Sequence, residues 1–344
     1  VIDLLIAGGG PAGLATALYA RRAGLTAVVV EPRPAPIDKA CGEGLMPHAV
    51  RLLDELGVHP QGMPMRGIRY VQGDLAVDAA FRLGTGLGVR RTELHRALHD
   101  AALASGVEIV RARVDAVEQA AESVRAIGIE ARYLVAADGL HSSLRRAVDG
   151  ATHSAARDPA PRARRWGMRA HLPVRPWTDH VEVHWSAGGE AYVTPVAPDC
   201  VGIALLGGRG GSFAERLRAF PELAARLDVA EPGPVLAAGP MRQDVAHRVS
   251  GRVLLVGDAA GYLDALTGEG LALAFGCARA LVARVAADQA SHYERDYRVI
   301  SRRYRLITSA LLAASGRPTL RRQLVPTAAR VPWLFGAAVD QLAR

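Results

Sequence analysis

Residues 1 to 31 constrain this chain more than any other stretch. Val1-Ile2-Asp3-Leu4-Leu5-Ile6-Ala7 is a short apolar run that stops at Gly8-Gly9-Gly10-Pro11-Ala12-Gly13. A helical run with Leu14, Ala17, Leu18, Arg21 and Arg22 follows as far as Gly24, and Leu25-Thr26-Ala27-Val28-Val29-Val30 then ends on Glu31. The two apolar runs read as buried parallel strands joined by a helix. Gly8, Gly10 and Gly13 occupy the G-x-G-x-x-G positions. The first glycine permits the tight turn, the second lets a pyrophosphate approach the backbone, and the third lets the helix pack on the strand. The helix start at Pro11 and Ala12 offers free N–H groups, from Ala12 onward, to phosphate. Glu31 lies about 20 residues further on, where a carboxylate accepts ribose hydroxyls. Strand, glycines, helix, strand and acid in this order specify a dinucleotide site far more strongly than the glycines alone.

The chain has 344 residues, enough for two cores, since single cores stop growing near ~250–300 residues. Half the residues are hydrophobic and 22% are charged, a globular balance rather than a disordered one. Cys41, Cys200 and Cys277 are odd in number and widely spaced. They form neither a disulfide framework nor a metal-ligand cluster. No signal-peptide pattern is visible at the start, and no apolar run reaches the ~18 residues of a membrane span. A cytoplasmic location is expected.

The net charge of +8 is concentrated late. From residue 291 onward ten arginines, among them Arg295, Arg298, Arg302, Arg317, Arg330 and Arg344, face only Glu294, Asp296 and Asp340. Such an excess can attract anionic lipid or an acidic carrier protein. A solvated helical face is the simpler reading. No nucleic-acid partner is expected.

Three regions follow along the chain. The strand–helix–strand texture of 1–65, 88–158 and 240–290 predicts a discontinuous, doubly wound Rossmann-like dinucleotide-binding domain, an α/β fold. Short alternating strands in 66–87 and 159–239 predict an inserted antiparallel β-sheet substrate domain. Residues 66–82 read as a hairpin turning at Gly73-Asp74. Val107–Val117, Val124–Ile129 and Arg132–Ala137 read as strands. Residues 291–344 read as a helical, basic C-terminal tail cut by Pro318, Pro326 and Pro332.

Two more motifs join the first. They are Leu134-Val135-Ala136-Ala137-Asp138-Gly139 with Ser142, Ser143 and Arg145, and Val256-Gly257-Asp258-Ala259-Ala260 with Thr267-Gly268-Glu269-Gly270. Together the three resemble the flavin monooxygenase superfamily typified by para-hydroxybenzoate hydroxylase. Lys39 and Cys41-Gly42-Glu43-Gly44 resemble its geranylgeranyl reductase-like branch. The resemblance implies bound FAD. It places Gly8, Gly10, Pro11, Ala12, Gly13, Glu31, Arg33, Cys41, Gly42, Arg91, Val114, Asp138, Gly139, Asp258, Gly268 and Gly270 around the cofactor. Arg91 would face the pyrophosphate, Val114 would lie along the adenine, and Asp258 would meet the ribityl or pyrophosphate side. Asp138-Gly139 resembles a fingerprint tied to both FAD and NAD(P)H, so NAD(P)H or a separate flavin reductase would supply electrons.

The resemblance has departures. Gly261 and Ala265 stand where the monooxygenase motif has His and Pro, and Glu190-Ala191-Tyr192-Val193-Thr194-Pro195 lacks the Trp of the reductase motif. No side chain is obligatory, and Cys41, Glu43 and Glu269 are the candidate catalytic residues. The leading expectation is a monooxygenase that hydroxylates or epoxidises a hydrophobic polyketide, terpenoid or indole-like substrate through a flavin hydroperoxide. The alternative is reduction of a C=C bond in an isoprenoid or lipid. A third reading is a non-catalytic flavoprotein that docks through its basic tail.

Overall fold

The computed structural model describes residues 1–145, 164–227 and 231–343. The domain boundary expected at 158/159, and Arg344, fall outside these residues.

The first sheet is built from the apolar runs that open the chain and from those at 129–136 and 253–255. Its order is β17 (Val249–Ser250), β18 (Val253–Leu255), β11 (Ile129–Ala136), β1 (Ile2–Ala7), β2 (Ala27–Val30) and β8 (Glu108–Val110). The ladders from β18 to β8 are parallel. Leu4, Leu5, Ile6, Val29, Leu134 and Val135 have no exposed surface, as expected of strands covered on both faces. The packing helices are α1 (Pro11–Arg22), α2 (Pro47–Glu55), α3 (Arg91–Ala104) and, after two short helices described below, α6 (Gly270–Ala286).

Two strand expectations need correction. Residues 107–117 are not one strand, because Ala112 N–H turns back on Val110 O at 3.0 Å and ends β8. Val114 is buried but lies outside any strand. The 124–129 run is instead the hairpin of β10 (Val124–Ala126) onto β11, after the short β9 (Glu118–Gln119). Ile127 and Gly128 form its turn with φ of 47° and 78°.

The second sheet has seven strands, in the order β16 (Leu236–Ala238), β12 (Trp166–Leu172), β15 (Cys200–Gly207), β14 (Gly189–Ala197), β13 (His180–Ser186), β5 (Gly67–Gln72) and β6 (Leu75–Ala80). The β5–β6 hairpin turns at Gly73-Asp74 and joins β13 in a parallel pair, the one non-antiparallel ladder of this sheet. Side chains alternate between its two faces. Val193, Ile203 and Leu205 pack under α4 (Phe213–Leu217) and α5 (Pro221–Leu227). Trp185, Tyr192 and Leu206 face the opposite way. A small sheet of β3 (Gly44–Leu45), β7 (Gly86–Gly88) and β4 (Met63–Met65) flanks the β5–β6 hairpin in sequence.

The chain ends in α7 (Tyr293–Ser315), α8 (Pro318–Arg321), α9 (Leu324–Arg330) and α10 (Pro332–Ala343). The basic tail is not an appendage: Val325, Phe335 and Val339 are buried in the core formed with β5, β6 and β13. Tyr70 of β5 meets the Phe335 ring at 4.5 Å between centroids.

Candidate functional site

The glycine loop leaves no room for side chains. Gly8 has φ 113°, and a Cβ there would lie 2.4 Å from Ala137 O. A Cβ on Gly13 would lie 1.9 Å from Gly8 O, so α1 rests directly on the turn. No side chain caps the start of α1, which leaves its first N–H groups facing outward for an anion.

Glu31 closes one side of the loop. Its Oε2 accepts from Gly9 N at 2.9 Å and from Arg33 Nη2 at 3.0 Å, and its Oε1 accepts from Arg33 Nε at 2.7 Å and Arg33 N at 3.1 Å. Burial raises this carboxyl's pKa, but Arg33 and the Gly9 N–H outweigh it, and the net pKa is lowered. A carboxylate offers about four lone-pair sites, and all are taken. A ribose hydroxyl therefore gains a place only by displacing the 46% exposed Arg33 side chain.

Arg91 heads α3, and a Cβ on Gly10 would lie 3.9 Å from its Nη2. Its side chain is buried, its Nη1 has no hydrogen-bond partner, and desolvation lowers its pKa. A buried, unpaired guanidinium beside a phosphate-type loop is costly unless an anion arrives.

One turn along α3, His95 approaches Gly9 O with Nε2 at 2.9 Å. A carbonyl only accepts, so Nε2 carries the hydrogen and Nδ1 is an acceptor. That Nδ1 is buried without a partner, and burial lowers the pKa to about 4. Sequence reasoning missed His95. Its signal was the i+4 spacing from Arg91, which puts both on one helix face. Glu31, Arg33, Ile37, His95 and His99 line a narrow cleft beside Gly9.

The three motifs converge here. Gly8 abuts Ala137, and a Cβ on Gly257 would lie 2.7 Å from Ala12 Cβ. Arg145 Nη1 donates to Asp258 O at 3.2 Å, which ties the second motif to the third. Asp138 acts as a local cap: its carboxylate accepts from Ser142 Oγ at 2.6 Å and Ser143 N at 2.9 Å. Gly139 has φ 85°, and a Cβ there would lie 3.1 Å from Lys39 Nζ. Burial raises the Asp258 pKa, against the pull of Lys39, Arg91 and Arg145. Gly268 has φ 68°, and Gly270 starts α6 with Tyr262 3.4 Å from its would-be Cβ. Val114 is not among these contacts.

The catalytic candidates separate into three kinds. Glu43 is 2% exposed and sits at φ 60°, a left-handed backbone rare for a side chain of this size. Its Oε1 accepts from Arg91 N at 2.8 Å, and its Oε2 accepts from His171 Nε2 at 2.7 Å. His171 Nδ1 then accepts from Arg169 Nη1 at 3.1 Å and Arg90 Nη2 at 3.3 Å. Arg169, 2% exposed, also bonds Asp38 and the Lys39 carbonyl. Glu43 thus joins the Asp38–Gly44 loop, α3 and β12, and it is a positioning residue.

Cys41 accepts from Glu43 N at 3.4 Å, and desolvation raises its pKa, so it stays a thiol. The strand β14 holds both loops that face the cradle: Thr194 Oγ1 donates to Gly42 O at 2.8 Å, and Tyr192 OH donates to Leu266 O at 2.8 Å. Glu269, 6% exposed, has an unpartnered Oε2, and burial raises its pKa to about 7.

Residues 1–161 match the family model described as FAD binding domain. The chain is an FAD-dependent oxidoreductase, and the relatives it matches include monooxygenases and reductases. This oxidoreductase is 29% identical over 299 residues to a menaquinone reductase of Mycolicibacterium smegmatis, covering 78% of this chain and 72% of that protein. It is 29% identical over 298 residues to the 3-amino-4-hydroxybenzoate 2-monooxygenase of Streptomyces cremeus, covering 75% and 72%. A flavoprotein/dehydrogenase of Cytophaga hutchinsonii shares its fold, with a TM-score of 0.81 at 19% identity over 99% of this chain and 92% of that one.

The residues present fit FAD. The uncapped α1, the unpaired Arg91 Nη1 and the close-packed Gly8 and Gly13 suit its pyrophosphate. Glu31, Arg33 and His95 suit its adenosine half.

Proposed function

We propose that this flavoprotein saturates a C=C bond in an isoprenoid chain, such as that of a prenylated quinone or lipid. Reduced FAD, when bound, supplies a hydride. The protein must then provide a proton to the second carbon and keep water away. The observation that carries this reading is Cys41: the loop that resembles the reductase branch holds a thiol that burial keeps protonated. A thiol of raised pKa is a poor nucleophile and metal ligand, and as a weak acid it gives its proton only to a strongly basic centre, such as the carbon left after hydride addition. Glu43 fixes that loop through Arg91 N and His171, and Thr194 fixes it through Gly42 O.

The face of the seven-stranded sheet that carries Trp185, Tyr192 and Leu206 packs in one apolar core with Met46, Met65, Leu266 and Phe335. The similarity to a menaquinone reductase points to the same substrate class.

Monooxygenation is the second reading. It is favoured by the incomplete strand motif, in which Tyr192 OH is already committed to Leu266 O, and by the similarity to an aromatic monooxygenase.

The two readings differ in their product. The enzyme is incubated with menaquinone and a flavin reductant, with and without labelled oxygen, and the quinone ring is reoxidised before the product is weighed. A product still heavier by two hydrogens, formed equally well without oxygen, is expected. A product carrying one labelled oxygen atom, with none formed anaerobically, overturns it in favour of monooxygenation.

A further inference from the structure

The last helix is apolar on both sides. Its inner side buries Phe335, Val339 and Leu342. Its outer side shows Trp333, Leu334, Ala337 and Ala338, with Trp333 71% and Leu334 51% exposed. Residues at these spacings share one helix face. A surface helix ordinarily places charge there, and α10 places none.

Charge lies beside it instead, and of one sign. Between Tyr297 and Val339 the sequence has eight arginines and no acid. Arg317, Arg322 and Arg330 are exposed, and no ion pair among the described residues involves them. Asp340, beyond this stretch, is 15% exposed and turned to Arg82 at 3.5 Å. The surface thus combines an apolar strip, a fully presented indole and uncompensated arginines.

We propose that α10 and the arginines that precede it dock the protein on the surface of an anionic lipid bilayer. Trp333 and Leu334 enter the headgroup–acyl boundary, where an indole is favoured. Arg317, Arg322 and Arg330 meet lipid phosphates, each adding attraction within a Debye length of the surface. No described helix is long and apolar enough to cross a membrane, so the contact is with one leaflet. A second copy fits the face poorly, because a two-fold contact would bring the same arginines together. An acidic protein would satisfy the arginines but meets a strip with no polar group to pair. The inference rests on the surface alone and stands whichever reaction the site performs.

The test uses the FAD-loaded full chain and vesicles of phosphatidylcholine alone or mixed with phosphatidylglycerol, read by co-sedimentation and tryptophan emission. Binding is expected to the anionic vesicles, with a blue shift of emission that disappears in Trp333→Phe. Raising salt from about 0.1 M to 1 M shortens the Debye length from ~10 Å to ~3 Å and should release the protein. The triple variant R317Q/R322Q/R330Q is expected to bind on the order of 100-fold more weakly. Trp333→Ser with Leu334→Ser is expected to lose at least about tenfold, with flavin content and melting temperature unchanged. Absence of binding to anionic vesicles overturns the proposal, as does equal binding by wild type and both variants. A concentration-dependent dimer that hides Trp333 from acrylamide quenching also overturns it and gives the face to a second copy. Capture of an acidic protein in place of vesicles does the same for a protein partner.

Discussion

The cofactor cradle and the seam between the two large sheets are both buried and both charged, but they treat polar atoms differently. In the cradle, Arg91 Nη1 and His95 Nδ1 are buried with no partner. In the seam, Glu43, His171, Arg90, Arg169 and Asp38 bond one another, and the only orphan among them, Arg169 Nε, lies 3.8 Å from Glu43 Oε1. A buried polar group without a partner is expensive, and a satisfied network is not. The cradle is therefore built for something that is not protein, while the seam satisfies all but one of its own buried polar atoms. The same residue type serves opposite ends: Arg91 awaits an anion, and Arg169 holds the chain together.

Substitutions can break this contrast. The largest effect is expected from Gly13→Ala, which forces a Cβ to 1.9 Å from Gly8 O. FAD should be absent from the purified protein, as read by its visible absorbance; normal flavin content would mean that the α1–β1 contact is not close-packed. Next is Arg169→Met, which takes the hydrogen-bonded guanidinium from Asp38 and His171 and the nearest cation from the buried Glu43 carboxylate, 3.8 Å away. Losing one partner of a buried pair costs on the order of 3–5 kcal/mol, so the melting temperature should fall by several degrees. Arg91→Met should do the reverse. FAD affinity should weaken by roughly 10- to 100-fold with the loss of a charge-assisted contact, while the melting temperature of the FAD-free protein does not fall. If Arg91→Met destabilises the FAD-free protein as much as Arg169→Met does, the contrast is lost.

The smaller effects depend on pH. Glu269 has a folded pKa raised to about 7, above its ordinary 4.5. The folded state then binds more protons than the unfolded one between these values, so stability falls as pH rises through that window. Glu269→Gln should be the more stable protein at pH 8, by at most roughly 3 kcal/mol, and the gain should vanish near pH 4. Glu31 works the other way. Its pKa is lowered, so its contribution is present above its unfolded pKa and is lost as pH falls through the folded one. Glu31→Gln should flatten the acid limb of a thermal-melt profile; an unchanged limb would show that Arg33 does not hold the carboxylate in solution.

The cradle was legible in the sequence because its parts are local. Gly8, Gly10, Gly13 and Glu31 lie within one strand–helix–strand unit, and their backbone demands leave few residue choices. The resemblance supplied Arg91. The seam was not legible, since Glu43 meets His171 across 128 positions, and no periodicity announces such a pair. His95 was hidden for a different reason: a histidine on the apolar face of a helix reads as core until its Gly9 partner is seen. Asp138 illustrates the reverse, a motif residue whose carboxylate is spent on Ser142 and Ser143 a few positions on. In the tail, the arginine pattern was plain, but the partner of its apolar residues, the hairpin at residues 67–80, lies more than 240 positions away.

Saturation of the C=C bond is tested by mixing the anaerobically reduced holoprotein with menaquinol, whose ring is already reduced, in a stopped-flow instrument and watching the oxidised flavin band return. Reoxidation without oxygen is expected, at a rate that rises with prenyl substrate and falls sharply in Cys41→Ala. A flavin that stays reduced until oxygen is admitted, and then yields an oxygenated product, would contradict it.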